Sequence, residues 1–385
     1  MSRRWIWQLP DWPNFRFEPA RVGSALERAR LAQGEVLGMA RVLGFDGLQS
    51  ALSDIWVEET RATALIEGER LELQAVRSSV ARKLGLQSPS GAVPRNIENL
   101  VEILGDAAEG WEKPMTRARL CAWQAALFPT GYTGLKKIEI GRLRRRIEPM
   151  QVVSGPVARR RVHFEAPPAA RVGKELDRLL KWLAHAREDG ILRAGIAHLW
   201  FETIHPFEDG SGRVGRALMD FALAQDARVP LRLYSMSREL QDHRGAYYAA
   251  LERASRGTLD ITDWLVFFSE RFEAACRQSA AVIERTLAKA RFWIRNAEVN
   301  LQDRQRKVVN RLLDAGPGGF EGGLSTKKYQ SMTGTSRATA YRDLSELVEL
   351  GLLATRGEGR ATRYEPVVPE WSTRAGAGKG AQTWP

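Results

Sequence analysis

Apolar residues recur three and four apart through nearly the whole chain, and that spacing commits it to a mainly α-helical fold. Over 21–43 the stripe runs through Val22, Leu26, Ala29, Leu31, Leu37, Ala40 and Leu43. The same pattern predicts helices over 47–63, 72–84, 99–109, 116–127, 173–186, 192–204, 213–224, 238–255, 261–272 and 276–296. The period changes once, between 150 and 168. There two short β-like runs, Gln151-Val-Val and Arg161-Val-His-Phe, flank Ser154-Gly-Pro, so a β-hairpin is predicted. A Gly/Pro/Ser-rich stretch at 85–94 reads as a linker, and no internal repeat is present.

With 385 residues, 44% of them apolar and 27% charged, the chain is long enough for two or three domains with a sizeable core. That composition excludes a disordered chain, a collagen-like one and a disulfide scaffold. Two cysteines, Cys121 and Cys276, are too few for a disulfide framework or a Cys-rich zinc site. The net charge of +12 makes polyanionic partners plausible, nucleic acid or nucleotide phosphates. No 18-residue apolar run exists, and Met1–Trp7 continues into Gln8, Pro10 and Asp11 without an apolar signal region. A cytoplasmic protein without a membrane span is the expectation. The expected domains are 1–90 (N-terminal helical), 95–298 (core), 299–371 (a distinct C-terminal module) and 372–385 (disordered tail).

The chemistry concentrates at 205–216, His-Pro-Phe-Glu-Asp-Gly-Ser-Gly-Arg-Val-Gly-Arg. Pro206 ends the preceding helix and leaves His205 at its terminus with the imidazole aimed into the loop. Gly210 and Gly212 flank Ser211 where the next helix begins, which forms a nest of backbone N–H groups for an anion. Arg213 and Arg216, three apart on one helical face, could clamp one polyphosphate. Asp209 is an oxygen ligand of the kind Mg²⁺ takes alongside phosphates and water. A loop-capping histidine with arginines in surface ion pairs would be the bland reading. The ordered set instead describes phosphoryl or nucleotidyl transfer.

This segment resembles the signature of the Fic (Fido) family, His-Pro-Phe-x-Asp/Glu-Gly-Asn-Gly-Arg-x-x-Arg, at every fixed position except Ser211, where the family usually has Asn. The resemblance implies a Fic-type helical core with a β-hairpin flap that transfers AMP from Mg-ATP to a Ser, Thr or Tyr hydroxyl of a target protein. His205 would be the general base and Asp209 the Mg²⁺ ligand. Phe207, Gly210, Ser211 and Gly212, with nearby amides, would bind the α-phosphate region. Arg213 and Arg216 would hold the β- and γ-phosphates. An ordinary imidazole, with a pKa near 6.5, suits a base at neutral pH. A serine hydroxyl is shorter than an amide, so Ser211 implies lowered transfer. The hairpin stands where the family places its flap, on which a target segment docks as an added strand. Tyr248, of the pair Tyr247-Tyr248, could stack on adenine.

Nearer the N-terminus, Trp5-Ile-Trp-Gln and Trp12-Pro-Asn-Phe resemble a domain of unknown function often joined to Fic cores, its tryptophans most simply packing residues. Thr63-Ala-Leu-Ile-Glu67-Gly68 matches the inhibitory pattern Ser/Thr-x-x-x-Glu-Gly/Asn of self-restrained Fic proteins. Glu67 delivered to Arg216 would occupy the place the γ-phosphate needs. The same glutamate could instead orient a hydrolytic water and favour AMP removal.

Beyond 303 the order is helix (304–315), Gly-rich loop, helix (325–333), turn at Gly334, helix (336–351) and hairpin, which resembles a winged helix-turn-helix. Ala340, Leu344, Leu347 and Leu350 are expected to face inward, and Arg337, Thr339, Tyr341 and Arg342 outward. Arg337, Thr339 and Arg342, with Arg360 of the wing, are the candidate DNA contacts. Thirteen Lys/Arg against nine Asp/Glu over 301–385 support DNA weakly, and protein docking stays open. The basic run 136–146 and Arg159–Arg161 read as solvated surface near the flap, able to meet an acidic target. A competing reading makes the chain a DNA-binding regulator with a degenerate nucleotide-sensing core. UTP or GTP as donor, and a homodimer, stay open.

Overall fold

A computed structural model describes residues 4–87, 91–154, 161–229, 232–318 and 320–371; the side chains of 42–47, 154, 161 and 360 are outside the description. The predicted hairpin turn at 155–160 and the tail at 372–385 lie outside it as well. The chain divides into two units, Met1–Ala280 and Ala281–Pro385.

The first unit opens with α1, Pro19–Ile66, whose proline sits in the first turn, where its missing N–H costs nothing. Two helices were expected here, and the chain instead forms one of 48 residues. A glycine inside a helix costs about 1 kcal/mol relative to alanine. Gly44 and Gly47 therefore lose to the packing on either side, where Val36, Leu48, Leu52 and Ile55 are buried. Gly68, at φ +85°, ends the helix in the left-handed conformation that glycine adopts without strain.

After α1 come α2 (Leu73–Lys83), α3 (Arg95–Glu109) and α4 (Arg117–Leu127), the last capped by the Thr116 hydroxyl on the Arg119 amide. Two short strands follow, β1 (Tyr132–Thr133) and β2 (Lys136–Lys137). The predicted hairpin is β3 (Gln151–Ser154) against β4 (Arg161–Glu165), antiparallel, with an irregularity between Val152 and Val153. The N-terminal tryptophans pack beside it: Trp5 stands edge-on to Phe164 at 5.2 Å, and the Trp7 indole donates to the Glu165 carbonyl.

Helix α5 (Ala169–His185) leads to α6 (Gly190–Ile204) and α7 (Ser211–Ala227). Asp189 caps α6 by accepting the Ile191 amide at 2.9 Å. Ile191, Ala194, Ile196, Leu199, Trp200 and Phe201 bury α6 on every side, as expected of a central core helix. One helix was expected over 238–255, and two form: α8 (Met236–Asp242) and α9 (Arg244–Ala254). The break falls at His243, with Gly245 in the first turn of α9. The His243 ring turns back to the Glu239 carbonyl at 3.1 Å, with φ −112° at the junction. The reverse holds for α10, Thr262–Arg295, which is continuous where two helices were expected, because Glu273-Ala-Ala bridges the gap with good helix formers.

The second unit has its own core, which includes Val308, Leu312, Tyr329, Leu344, Leu347 and Leu352. It is built from α11 (Asp303–Ala315), α12 (Thr326–Thr333), α13 (Arg337–Glu349) and the antiparallel pair β5 (Leu353–Arg356) and β6 (Arg363–Pro366). Gly334, at φ +69°, ends α12, and the Ser336 hydroxyl accepts the Thr339 amide to start α13. Leu350, expected inside, caps α13 and is 41% exposed. Both cysteines are free thiols. Among the described residues no helix is long and apolar enough to cross a membrane.

Candidate active site

The break after α6 sets the site. His205 caps the helix at φ 46° and ψ 66°, a left-handed conformation uncommon for a residue with a side chain. Arg144 holds it there. Its Nε donates to the His205 carbonyl at 2.7 Å, a second nitrogen donates to the carbonyls of Ile204 and Pro167, and its amide donates to the Pro206 carbonyl. A cation thus satisfies the carbonyls a helix leaves open at its C-terminus. Arg144 belongs to the run read as solvated surface; it is only 4% exposed, which corrects that reading.

The Glu202 carbonyl lies one turn before the His205 ring and, as the weakest of the influences on it, favours the protonated form. Burial and then the Arg144 charge push its pKa down to about 4, against weaker opposition from Glu67 and Asp209. The imidazole is therefore neutral at neutral pH. Its value is not the ordinary 6.5 expected.

His205 faces a cavity of about 510 Å³ lined also by Glu67, His163, Glu202, Arg216 and Tyr248. Val152 and Phe164 of the hairpin form part of its wall. In the loop, Gly210 takes φ +85°, and a Cβ there would come within 2.8 Å of the Phe128 ring. Asp209 accepts the Gly210 amide at 2.6 Å with one carboxylate oxygen. The Ser211 side chain turns away from the cavity: it is 1% exposed, and its Oγ accepts the Phe207 amide at 3.2 Å. Phe207 is likewise buried, its ring 6.3 Å from that of Phe201, so its side chain belongs to the core.

The two arginines expected to act together go separate ways. Arg213 pairs with Glu69 at 3.1 Å and lies over the Phe128 ring, outside the cavity lining. Arg216 is 1% exposed and bound by the end of α1. Its Nε donates to the Thr63 hydroxyl at 2.9 Å, and one terminal nitrogen donates to the Thr63 carbonyl at 2.9 Å and to Glu67 Oε1 at 2.8 Å. The Glu67 carboxylate also lies against Gly212, close enough that a Cβ there would collide with it. Burial works to raise the Glu67 pKa, but Arg216 and Arg213 outweigh it and hold the group below the usual carboxylate range. The pair is therefore charged at neutral pH and is lost only as pH falls through that lowered value.

Glu202 escaped the sequence reading. Its Oε1 is buried without a hydrogen-bond partner, and burial, opposed by Arg216 and aided by Glu67, pushes its pKa up to about 7. The only sequence signal was its place one turn before His205, on the same helical face. Tyr248, 39% exposed, reaches the cavity, and its hydroxyl donates to the Ile66 carbonyl at 3.4 Å. Tyr247 is buried on the His198 ring. In the second unit Arg337, Tyr341 and Arg342 are exposed on α13, whereas Thr339 is half-buried and bonded to the Ser336 hydroxyl; the Arg360 side chain is outside the description.

Residues 114–223 match the model of the Fic/DOC family, and residues 5–86 match a domain of unknown function, DUF4172. The chain carries a Fic/DOC family domain. Over 103 residues it is 30% identical to the probable protein adenylyltransferase aq_aa38 of Aquifex aeolicus, a stretch that is 26% of this chain and 30% of that protein. Over 124 residues it is 27% identical to the protein adenylyltransferase fic-1 of Caenorhabditis briggsae, which is 32% of this chain and 22% of that protein. The chain thus aligns with less than a third of either relative's length. The crystal structure of a Fic family protein from Desulfovibrio desulfuricans has the same fold at TM-score 0.52 and 23% identity, covering 96% of this chain and 99% of that one.

The Fic/DOC domain contains His205 and Arg216, while Thr63 and Glu67 fall inside the DUF4172 match. The ion pair at the cavity therefore joins two sequence families. Among the described residues no group of three or more His, Cys, Asp or Glu could hold a metal. Asp209, one carboxylate at the mouth of a helix N-terminus, fits Mg²⁺ only as the ion arrives with substrate phosphates to complete its shell.

Proposed function

We propose that this chain is a protein adenylyltransferase that moves AMP from Mg-ATP to a hydroxyl of a target protein and is restrained by Glu67. The observation that carries the reading is one cavity holding a neutral imidazole, the N-terminus of α7 at Gly212, and a buried arginine occupied by a carboxylate. The homologues' names support the same chemistry at the level of the family.

In this reading His205 takes the proton of the acceptor hydroxyl through a ring nitrogen. The freed oxygen bonds to the α-phosphorus as the bond to pyrophosphate breaks. Gly210 and Gly212 leave room for phosphate oxygens to approach the amides of α7, where the helix dipole favours negative charge. Arg216 neutralises the departing pyrophosphate once Glu67 has left it. Mg²⁺, held by Asp209, would supply charge neutralisation across the phosphates. Tyr248 offers a ring face to the base, and Val152 and Val153 offer strand edges to the target.

The test is purified protein with labelled ATP and Mg²⁺, comparing wild type, Glu67→Gly and Glu67→Gly/His205→Ala. Label should enter protein in Glu67→Gly and vanish in the double variant. Equal label in all three would refute the assignment. Release of AMP from labelled protein by wild type would favour the hydrolytic alternative.

The second unit supports a further, compatible reading as a winged helix-turn-helix that docks on DNA. Arg337 and Arg342 are exposed at the start of α13, as a recognition helix requires, and Arg356 projects from the β5–β6 hairpin. Duplex DNA titrated against the protein should raise anisotropy in a salt-dependent manner, and Arg337→Ala/Arg342→Ala should weaken it. Binding that ignores both salt and the double variant would sink this reading.

A further inference from the structure

Glu59, Thr63 and Glu67 recur every fourth residue and so share one face at the end of α1. The last two hold Arg216. Glu59 is 0% exposed and holds something else. Its Oε2 accepts the Ser235 hydroxyl at 2.9 Å and the Ser237 amide at 3.0 Å, both at the start of α8. Its Oε1 lies 3.9 Å from Arg232, which Asp220 of α7 binds at 2.9 Å. Arg232 also donates to the Leu104 carbonyl and lies over the ring of Trp56, itself on α1. Asp220 stands one helical turn beyond Arg216 on α7. The same face of α1 thus meets α7 twice, once at Arg216 and once through Arg232 and Asp220.

The contact with α8 matters because α8 continues through His243 into α9, which carries Arg244, Tyr247 and Tyr248 of the cavity wall. The Tyr248 hydroxyl returns to the Ile66 carbonyl, one residue before Glu67. Buried carboxylate–arginine clusters contribute little net stability compared with well-packed apolar side chains, whereas their directional bonds fix register. A sliding α1 would still bury its leucines. It would not keep Glu67 within 2.8 Å of Arg216.

We propose that Glu59 is the positioning residue of the brake: it pins α1 to α7 and α8 so that Glu67 reaches Arg216, and it ties the brake to the α9 wall of the nucleotide cavity. This rests on the adenylyltransferase reading above. Glu59→Gln keeps the shape and removes the charge; AMP incorporation should rise about 3- to 30-fold, less than in Glu67→Gly, the loss of one charged hydrogen bond. Combined with Glu67→Gly it should add less than about twofold, because both changes release one device. A folded Glu59→Gln at the wild-type rate, or gains that multiply, would overturn the proposal. Asp220→Asn serves in the same design if Glu59→Gln does not fold. Native-state hydrogen exchange of the wild type needs neither variant nor activity: amides of 59–67 and 235–242 should open in one event. Separate opening would overturn the clamp. A silent Glu67→Gly with joint opening would remove the enzymatic reading and leave the clamp standing.

Discussion

Two carboxylate–arginine pairs, one in each unit, make a useful contrast. Asp343 takes two bonds from Arg304, at 2.7 and 3.0 Å, and a third from the Tyr329 hydroxyl at 2.9 Å. Glu67 takes a single bond from Arg216 and faces a cavity. The first pair is saturated and sits under a packed scaffold. In the second, Arg216 spends two bonds on Thr63 and only one on the carboxylate, beside space enough for another anion. An ion pair reads as exchangeable when one partner can find an equivalent oxygen elsewhere without unfolding anything, and only the Glu67 pair meets that condition.

The largest effect that sharpens the contrast lies at the base. In the Glu67→Gly background, His205→Ala should lower transfer by about 10²- to 10⁴-fold, the usual worth of a positioned general base, measured by label incorporation. Retained activity would mean the cavity is not where the proton moves. Glu67→Gly alone should raise transfer about 10- to 100-fold, corresponding to a charge-assisted bond of about 1.5–3 kcal/mol. Asp343→Asn should leave transfer unchanged and cost the second unit about 1–3 kcal/mol in denaturant unfolding. If it altered transfer, the two pairs would not be of different kinds.

Glu202 gives a pH test. Its pKa is raised to about 7, so the folded protein holds a proton there that the unfolded chain releases near 4.5. Stability should therefore fall as pH rises from about 5 through 7. Glu202→Gln should remove part of that fall, so its thermal midpoint should exceed that of wild type more at pH 8 than at pH 5. The reverse ordering would place the charged form, not the neutral one, in the fold. The smallest expected change is Ser211→Asn, which should raise transfer in the Glu67→Gly background by less than about tenfold, the gain of one neutral hydrogen bond. No change would mean the loop needs only the internal tie from Ser211 to the Phe207 amide.

The parts legible in the sequence were local. The run His205–Arg216 and the pattern Thr63–Glu67 are contiguous, so their residues could be named before any fold was known. The hairpin at 151–165 showed because its period differs from everything around it. What stayed hidden depended on which way a side chain turns. Arg144 sat in a run of cations that gives no sign of one member being buried. Arg213 and Arg216 share a spacing that predicts joint action, and Glu69, six positions beyond the end of the expected helix, pairs with one of them. Whether 43–47 breaks a helix was decided by the burial of residues on either side of it, and whether 272–276 does by the helix-forming residues in the gap; apolar spacing alone reports neither.

Gly212 carries one more consequence. On the proposed reading, the absent side chain that would admit a phosphate is the same vacancy that admits the Glu67 carboxylate. If the proposal holds, a side chain at 212 would crowd the Glu67 carboxylate and the phosphate alike, so a substitution there should not give escape from restraint. Lineages selected for unregulated output can reach it only through the opposite partner, by editing the end of the long N-terminal helix, and that is where natural loss-of-control alleles should accumulate.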